Sequence, residues 1–345
     1  MLIFEAMIKP LNFALVGCGK IAPRHAIEAV KYGSLKAVCD LLPSRAHALA
    51  DQYGATPYYN LDSMLENEKQ LDILIICTPN GYHTSQCIRG LNHGLNVLCE
   101  KPLCILKAEG NIILHHARNT GKRAFVVKST RYNPILCALK KELDQHSWGN
   151  IFSFQLNCFW NRPASYYENW RGTELDGGTL YTQFSHYIDA LLWLLGDIAN
   201  CTGYRKNIAH RDSMLFEDTG IASLEMKNGV IGGLNWSVNS YQKNMEISFT
   251  LLAEKGSIRI GGEYLNKIDY QLTDSKITAQ EILNAANDYG FYKGSMSNHD
   301  KVYENLMKAL ADPSYPFTDA EEGLRTVEAI EMIYSSLPLY NKRHG

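Results

Sequence analysis

The feature that most constrains the fold is a regular alternation of apolar runs and helical patterns over residues 12–128. Amphipathic spacing follows the first run at Ile21–Tyr32 and the fourth at Lys107–Gly121. Five runs are short and mostly apolar: Asn12–Val16, Leu35–Cys39, Leu71–Cys77, Leu95–Cys99 and Ala124–Val127. Short apolar strands separated by amphipathic helices are typical of βαβ units, whose parallel sheet is buried on both faces. The first third of the chain therefore predicts an α/β domain with a parallel sheet.

The pattern changes after this region, where strand-like segments follow one another without helices between most of them. These segments are Ile151–Trp160, Thr219–Met226, Val230–Val238, Met245–Leu252 and Gly256–Ile260. Asn228-Gly229 between two of them is a strong hairpin signal, so we expect an open, mostly antiparallel sheet. Helices are predicted at Thr179–Leu195, Asn298–Ala311 and Asp319–Ser335.

The length of 345 residues fits two domains of roughly 150 residues each. We place an α/β domain at 10–130 and an α+β domain at 131–345, with the C-terminal helices packing back on the first domain. With 34 basic and 36 acidic residues, the net charge is −2, and we expect neither a nucleic-acid partner nor a membrane-binding surface. Nine cysteines without Cys-x-x-Cys spacing, and an N-terminus without a secretory signal, indicate a cytoplasmic protein with free thiols.

The sharpest local motif is Gly17-Cys18-Gly19-Lys20-Ile21-Ala22, which fits Gly-x-Gly-x-x-Ala between a strand and a helix. Gly17 permits a tight turn, Gly19 lets the backbone approach a pyrophosphate, and the helix N-terminus favours the anion. Asp40 ends the second strand, 21 residues after Gly19, where a carboxylate can bind the ribose hydroxyls. Because that carboxylate would repel a 2′-phosphate, the motif predicts a Rossmann domain that binds NAD rather than NADP. The alternative is that Asp40 only begins a turn.

Two further segments follow strands of the predicted parallel sheet, at the edge where such sheets bind ligands. Cys77–His83 follows the third apolar run, although Thr78 and Asn80 could equally be helix caps. Glu100-Lys101-Pro102 follows the fourth, and a lysine there could take the proton of an alcohol substrate. Surface lysines are common, so the position of Lys101 alone leaves a structural role open.

The helix predicted at Thr179–Leu195 carries Thr182, His186 and Asp189 at a spacing that places them on one face. His186 is a candidate for proton transfer, or else a buried core histidine. The loop Trp160–Thr173 is rich in aromatic residues and contains two arginines, which suit either a carboxylate or phosphate ligand or the packing of a neighbour. No His-Glu-x-x-His, Gly-x-Ser-x-Gly or Walker A motif occurs, and we expect no metal.

Taken together, these segments resemble the Gfo/Idh/MocA oxidoreductase family over nearly the whole chain. The resemblance is carried by four stretches: GCGKIAPRH, CTPNGYH, EKP and GGTLYTQFSHYID. It implies a Rossmann domain, a second domain with an open sheet, and nicotinamide-dependent oxidation or reduction of sugar-like alcohols. It also implies that Lys101 and His186 are active-site residues. A non-catalytic NAD-binding regulator of the same fold is the alternative from another functional class.

Within the family, three stretches look most like bacterial UDP-N-acetylglucosaminuronate 3-dehydrogenases, which act in surface polysaccharide biosynthesis: Val126–Pro134, Tyr166–Asp197 and Phe216–Gly220. The stretch from Leu251 is also similar. Many family members have Asp, and the similar enzymes often Asn, four residues before the active-site histidine, where this chain has Thr182.

The resemblance implies a larger set of contacts and an assembly. The implied cofactor contacts are Gly17, Gly19, Lys20, Ile21, Asp40, Thr78, Pro79, Asn80, His83, Glu100, Lys101, Trp170 and Arg171. The implied contacts with a sugar or nucleotide-sugar substrate are Lys101, Lys128, Arg131, Tyr166, Arg171, Thr182 and His186. Since an uncovered sheet face would expose apolar side chains, we also expect a homo-oligomer, either a dimer or a tetramer.

Overall fold

The structure of the chain, a computed structural model, describes residues 10–277, 286–288 and 293–339. Residues 1–9, on which the expectation of no secretory signal rests, lie outside the described residues. The chain divides into two compact units. The first runs up to Val127 and includes His299–Leu324, and the second comprises Lys128–Asn298 and resumes at Arg325.

The first unit contains a parallel sheet of six strands in the order β3-β2-β1-β4-β5-β6. The strands are β1 Leu11–Val16, β2 Gly33–Cys39, β3 Thr56–Tyr58, β4 Ile73–Ile76, β5 Asn96–Cys99 and β6 Ala124–Val126. The helices between them are α1 Ala22–Tyr32, α2 Pro43–Tyr53, α3 Leu61–Asn67, α4 His83–Asn92 and α5 Lys107–Thr120. All four residues of β4 are fully buried, as a central strand covered on both faces requires.

The strand order of this sheet reverses between β1 and β4, which are neighbours with crossovers running to opposite sides. A crevice at the carboxyl ends of two such strands is where open α/β sheets bind their ligands. The predicted Rossmann sheet is confirmed, with one more strand than the sequence indicated. That additional strand, β3, has only three residues, and only its neighbour β2 pairs with it.

The second unit contains a sheet of seven strands in the order β13-β12-β11-β7-β10-β9-β8. The strands are β7 Ile151–Phe159, β8 Ile198–Lys206, β9 Thr219–Met226, β10 Ile231–Ser237, β11 Glu246–Ala253, β12 Gly256–Gly261 and β13 Lys267–Thr273. Neighbours are antiparallel except β7 and β10, which run parallel. The predicted hairpin joins β9 to β10, and Gly229 has a φ of 86° at its turn. The mostly antiparallel second sheet is thereby confirmed.

The remaining elements are short strands and helices. They are α6 Pro134–Asp144, α7 Thr179–Thr182, α8 Ser185–Leu195, β14 Ala286–Asp288, β15 Lys293–Met296, α9 His299–Ala311 and α10 Ala320–Ser336. The single helix predicted at Thr179–Leu195 is therefore two helices. Phe184 lies between them with ψ near 3°, and its amide bonds to the Thr179 carbonyl five residues earlier. Trp160, after β7, contacts Phe184 with ring centroids 5.3 Å apart.

Candidate functional site

The glycine-rich turn follows β1, at the point where the strand order reverses. Gly17 has a φ of 90°, and its amide donates a hydrogen bond to the Cys39 carbonyl at 2.8 Å. A Cβ at position 17 would stand 2.7 Å from the backbone carbon of Cys77 and the amide nitrogen of Thr78, so no other residue fits there. The close approach of this turn to the end of β4 therefore requires glycine.

Asp40 lies beside this turn and is half-buried at the end of β2. One carboxylate oxygen accepts the amide of Cys18 at 2.8 Å, and the other accepts the amide of Leu42 at 2.8 Å. Burial, followed by the nearby Asp40 charge, raises the pKa of the Cys18 thiol to about 12, so this cysteine stays protonated. The two hydrogen bonds fix the carboxylate next to the glycine turn.

These residues fit a dinucleotide. A Cβ added at Gly19 would meet no atom within 4 Å, so the outer side of the turn is open to a phosphate. In the first turn of α1 the amides of Ala22 and Arg24 donate to the carbonyls of Gly19 and Ile21 at 3.2 and 3.1 Å, so it is the positive end of the helix dipole that favours an anion here. Lys20 is exposed on the same turn, and Asp40 offers a carboxylate to ribose hydroxyls.

The loops after β4 and β5 are tied together by His83, the first residue of α4. Its Nδ1 lies 2.6 Å from the Pro102 carbonyl oxygen, and its Nε2 lies 2.9 Å from the Thr78 carbonyl oxygen. Burial lowers the pKa of His83, although both hydrogen bonds act in the opposite direction. Since a neutral ring carries one N–H, His83 donates to one of these two carbonyl oxygens and lies close to the other, between the two loops. Thr78 also donates to Gln86 at 2.6 Å, next to Pro79 and the buried Asn80.

Lys101 follows β5 and is held through Glu100, whose carboxylate is almost wholly buried. One oxygen of Glu100 accepts the Lys101 amide at 3.0 Å. The other lies 3.0 Å from Nε2 of His25 and 3.3 Å from Nε2 of His299. Burial by itself would raise the pKa of Glu100, but the hydrogen bonds from the two histidines lower it well below its usual value. An ionised carboxylate with three N–H donors therefore anchors the backbone of Lys101.

The same three side chains form a group of possible metal ligands within the described residues, with their donor atoms within 4.8 Å of one another. Nδ1 of His25 lies 3.0 Å from the Tyr303 hydroxyl, which can donate to it while Nε2–H donates to Glu100. Burial lowers the pKa of His25 and favours this neutral ring. Hydrogen bonding accounts for the arrangement of His25 and Glu100, and we assign the group a structural role.

In the second unit, Thr182 ends α7 and His186 lies in the first turn of α8. The Thr182 hydroxyl donates a hydrogen bond to the carboxylate of Asp176, which is fully buried. Burial raises the pKa of Asp176 to about 6, against the opposing effects of hydrogen bonds from Thr182 and the Gly172 amide. His186 is buried, with 6% of its surface exposed.

Asp189, three residues after His186, is the centre of a buried ionic cluster. Arg131 binds both of its carboxylate oxygens at 2.8 Å, and Nζ of Lys128 lies 3.1 Å from one of them. Lys128 also donates to the Thr326 hydroxyl at 2.7 Å. Burial would raise the pKa of Asp189, but the charges of Lys128 and Arg131 hold it well below its usual value. The two predicted substrate contacts Lys128 and Arg131 are thus brought together around a carboxylate.

The aromatic loop before α7 is built from stacked arginine and aromatic side chains. The guanidinium of Arg171 lies 4.8 Å from the ring centre of Tyr166 and 4.6 Å from that of Trp170. The guanidinium of Arg162 lies 5.3 Å from the Tyr166 ring. Such stacking rigidifies the loop and brings together three residues that the sequence proposed as ligand contacts: Tyr166, Trp170 and Arg171.

Sequence reasoning did not single out Asp176, His25 or His299. Asp176 and His25 stand inside stretches that carried the family resemblance, but neither the spacing nor the residue type marked them. His299 is 199 residues from Glu100 in sequence. Only the observed position of α9 in the first unit reveals that contact.

Two family descriptions match this chain. "Oxidoreductase family, NAD-binding Rossmann fold" matches residues 11–128, and "Oxidoreductase family, C-terminal alpha/beta domain" matches residues 140–338. The chain belongs to the Gfo/Idh/MocA oxidoreductase family. The resemblance inferred from the sequence is thereby confirmed.

Among solved structures, a WlbA dehydrogenase from Bordetella pertussis is 33% identical, with 95% of this chain and 96% of that chain covered and a TM-score of 0.85. Another, from Chromobacterium violaceum, is 32% identical, with 97% and 96% covered and a TM-score of 0.86. Both were solved with NADH and UDP-GlcNAcA. The D-glucoside 3-dehydrogenase of Escherichia coli is 24% identical over 68% of this chain and 72% of that protein.

This Gfo/Idh/MocA protein is an oxidoreductase that acts on a CH–OH group, and its predicted cofactor, NAD, is confirmed. It is a member of an NAD-dependent sugar dehydrogenase family. Across the part of the chain that the structure describes, no helix combines the length and apolar character needed to cross a membrane.

Proposed function

We propose that this protein oxidises the C3 hydroxyl of a UDP-N-acetylglucosaminuronate-type nucleotide sugar to a 3-keto sugar. The observation that carries the proposal is the similarity, over at least 95% of the chain, to two dehydrogenases solved with UDP-GlcNAcA. Surface polysaccharide biosynthesis in the cytoplasm is the proposed setting.

The proposed chemistry assigns the alcohol proton to Lys101. Hydride leaves an alcohol carbon readily only as the hydroxyl loses its proton, so a base must stand within about 3 Å of that oxygen. The hydrogen bond from the Lys101 amide to Glu100 fixes the lysine backbone at the end of β5. His186 is the proposed second group on the same hydroxyl, able to hydrogen-bond the oxygen or to relay its proton. When bound, NAD accepts the hydride from the substrate carbon.

The remaining residues are proposed to bind rather than react. The proposed cofactor contacts are the glycine turn Gly17–Ile21, Asp40, Thr78, Pro79, Asn80, Trp170 and Arg171. His83 and Glu100 are proposed to hold the neighbouring loops in place rather than to contact the cofactor. Their polar atoms lie at hydrogen-bond distance from Thr78, Pro102, His25 and His299. Tyr166, Arg171 and Thr182 are the proposed direct substrate contacts. Lys128 and Arg131 contribute positive charge from the buried cluster at Asp189.

A second candidate is oxidation of another sugar or a cyclitol, which the 24% identity to a D-glucoside 3-dehydrogenase favours. A panel of UDP-N-acetylglucosaminuronate, UDP-N-acetylglucosamine, glucose 6-phosphate, methyl glucoside and myo-inositol separates the candidates. With NAD present, we expect kcat/KM for the nucleotide uronate to exceed the others. A higher value for a free sugar or for inositol would contradict the proposed substrate.

The role of Lys101 is tested by Lys101→Met, which keeps the stem and removes the proton site. We expect kcat to fall by roughly 10²–10⁴-fold, the usual contribution of a general base, with little change in NADH binding. Lys107→Met, at an exposed position six residues away, is the matched control. His186→Asn should also lower kcat. A Lys101 variant with near-wild-type turnover would transfer the role of base to His186. Wild-type protein that binds NADH but oxidises no sugar of the panel would favour a non-catalytic NAD-binding protein.

A further inference from the structure

Asp176 is a buried carboxylate that the proposed reaction does not yet use. It has no exposed surface and lies in the loop just before Gly177 and Gly178, both of which have positive φ. The Gly172 amide donates a hydrogen bond to one of its oxygens at 3.0 Å. Burying a carboxylate is costly, so its retention in this position calls for a reason.

The other carboxylate oxygen accepts a hydrogen bond from the Thr182 hydroxyl. Thr182 is partly exposed, whereas Tyr181 before it and the residues from Gln183 to Ala190 after it are all buried. The hydroxyl therefore stands between a fully buried carboxylate and the accessible side of α7. Position 182 is also where the family resemblance leads us to expect Asp or Asn.

An ionised carboxylate can only accept hydrogen bonds, so it dictates the direction of the bond with Thr182. The hydroxyl hydrogen points at Asp176, whose carbonyl oxygen also lies 3.4 Å from the hydroxyl oxygen, and the two lone pairs of the hydroxyl oxygen can only accept. A threonine held in this way is a hydrogen-bond acceptor toward its accessible side. That is the property a carboxylate at position 182 would supply directly.

We propose that Asp176 is a positioning residue for the sugar oxidation, which orients Thr182 as a hydrogen-bond acceptor and so replaces the carboxylate missing at position 182. The inference rests on the proposed function in that Thr182 contacts the substrate or His186. Asp176 acts through the threonine hydroxyl.

The state of Asp176 then depends on pH. Burial raises its pKa to about 6, and the positive charge of Arg171 acts in the opposite direction. Tyr167 is a further ionisable neighbour, and burial together with nearby acidic groups, Asp176 among them, keeps it protonated by raising its pKa. Below pH 6 Asp176 takes up a proton, and its carboxyl group can donate to Thr182 and release the threonine hydrogen. The acceptor is then lost, and turnover should fall.

The proposal is tested with Asp176→Asn, which preserves size and leaves an amide that can donate to Thr182. We expect kcat to fall by about 10- to 100-fold with KM little changed, as for a misoriented group near a reacting atom. The limb of the kcat–pH profile near pH 6 should disappear. Thr182→Val, which removes the hydroxyl that Asp176 orients, should lower kcat and abolish the limb as Asp176→Asn does. Asp197→Asn, which removes a half-exposed carboxylate of the same unit, is the matched control.

Rescue provides the sharper readout. In Asp176→Asn/Thr182→Asp the carboxylate stands directly at position 182, and we expect kcat to recover at least 5-fold over Asp176→Asn. Wild-type turnover by Asp176→Asn, or an unchanged pH limb, would overturn the proposal. If kcat of the double variant does not exceed that of Asp176→Asn, the claim that Asp176 and Thr182 replace a carboxylate at position 182 is overturned.

A measurement without substrate separates this proposal from the proposed function. Thermal unfolding of the wild type and Asp176→Asn is compared from pH 4 to 8. Because the pKa of Asp176 is raised in the folded protein to about 6, the wild type should lose stability relative to the variant as pH rises from about 4, the unfolded pKa, to about 6, with no further change above that. Parallel profiles would overturn the proposal even if the substrate panel succeeds. If the panel identifies a different sugar, the proposed substrate fails, and the Asp176 kinetics are measured with that sugar.

Discussion

Replacement of Glu100 by glutamine tests whether the anchor of Lys101 is an ionised carboxylate with three donors. The wild-type side chain accepts hydrogen bonds from the Lys101 amide at 3.0 Å, from His25 at 3.0 Å and from His299 at 3.3 Å. Glutamine has one oxygen and one NH₂ group in place of two oxygens. If its NH₂ turns toward Lys101, it faces the Lys101 N–H donor; if it turns toward the histidines, His25 and His299 can accept from it only after their ring protons move from Nε2 to Nδ1.

The expected cost follows from these contacts. In one orientation a hydrogen bond to a charged acceptor is replaced by a donor–donor contact, in the other both rings must change tautomer, and in either case the remaining hydrogen bonds lose the charge of the carboxylate. With about 1.5–3 kcal/mol for each hydrogen bond to a charged group, we expect a loss of about 3–5 kcal/mol in the free energy of unfolding. The control Glu304→Gln removes an exposed partner of Lys301 and Lys308 and should cost less than about 1 kcal/mol.

Urea denaturation followed by circular dichroism measures both variants at pH 7. Since the pKa of Glu100 is lowered on folding, its contribution is present above the unfolded pKa of about 4.3 and disappears as pH falls through the lower folded value. The difference between wild type and Glu100→Gln should therefore shrink in acid. A variant within 1 kcal/mol of the wild type at pH 7 would refute the account of this cluster.

Two further predictions concern the cofactor and assembly. Asp40→Ser should weaken NAD binding by about 10-fold or more and reduce the preference for NAD over NADP, because the ribose loses a charged hydrogen-bond acceptor. Titration calorimetry with both cofactors measures the two affinities. A wild-type protein that binds NADP more tightly than NAD would contradict the role of Asp40. The second prediction is that one face of the seven-stranded sheet forms the interface of a dimer or tetramer. This face bears Tyr204, Ile221, Ile231 and Leu272, all more than half exposed. Ile221→Lys/Ile231→Lys should dissociate the oligomer in light scattering, whereas Tyr241→Lys, at an 85% exposed site off the sheet, should not; a monomeric wild type at micromolar concentration would refute this interface.

The register of this sheet refines the expectation of an apolar face. Asn157 pairs with Asn235, and the Asn235 side chain donates to that of Asn157 at 2.9 Å, so amides occupy the middle strands of the exposed face. The large apolar side chains lie mainly toward the outer strands, such as Tyr204 on β8 and Leu272 on β13. Alternation along single strands revealed the face, but its composition depends on which strands are neighbours.

Local patterns were sufficient for the parallel sheet because its strands are short, apolar and punctuated by helices. The same signal missed β3, which has three residues, one of them Pro57. Helical spacing predicted one helix at Thr179–Leu195, but periodicity cannot detect the interruption at Phe184, where the backbone leaves helical geometry within an apolar run.

The site residues also fall into those that the sequence pattern reveals and those that it does not. Gly17, Gly19 and Asp40 are recognisable because the dinucleotide dictates their type and their spacing along one βαβ unit. The anchors of Lys101 and Thr182 are not recognisable, because a buried carboxylate can find its donors anywhere in the fold. His299 reaches Glu100 from α9, and Asp176 reaches Thr182 from a loop whose path no periodicity describes.

The central claim, oxidation at the C3 hydroxyl of a UDP-linked N-acetylated uronate, is tested most directly with substrate carrying deuterium at C3. The protein is incubated with this substrate and NAD, and the NADH and the sugar product are analysed by mass spectrometry. The account predicts deuterium in the NADH and a keto sugar that has lost it. NADH without deuterium, formed while the sugar retains its label, would contradict the account by placing the oxidation at another carbon.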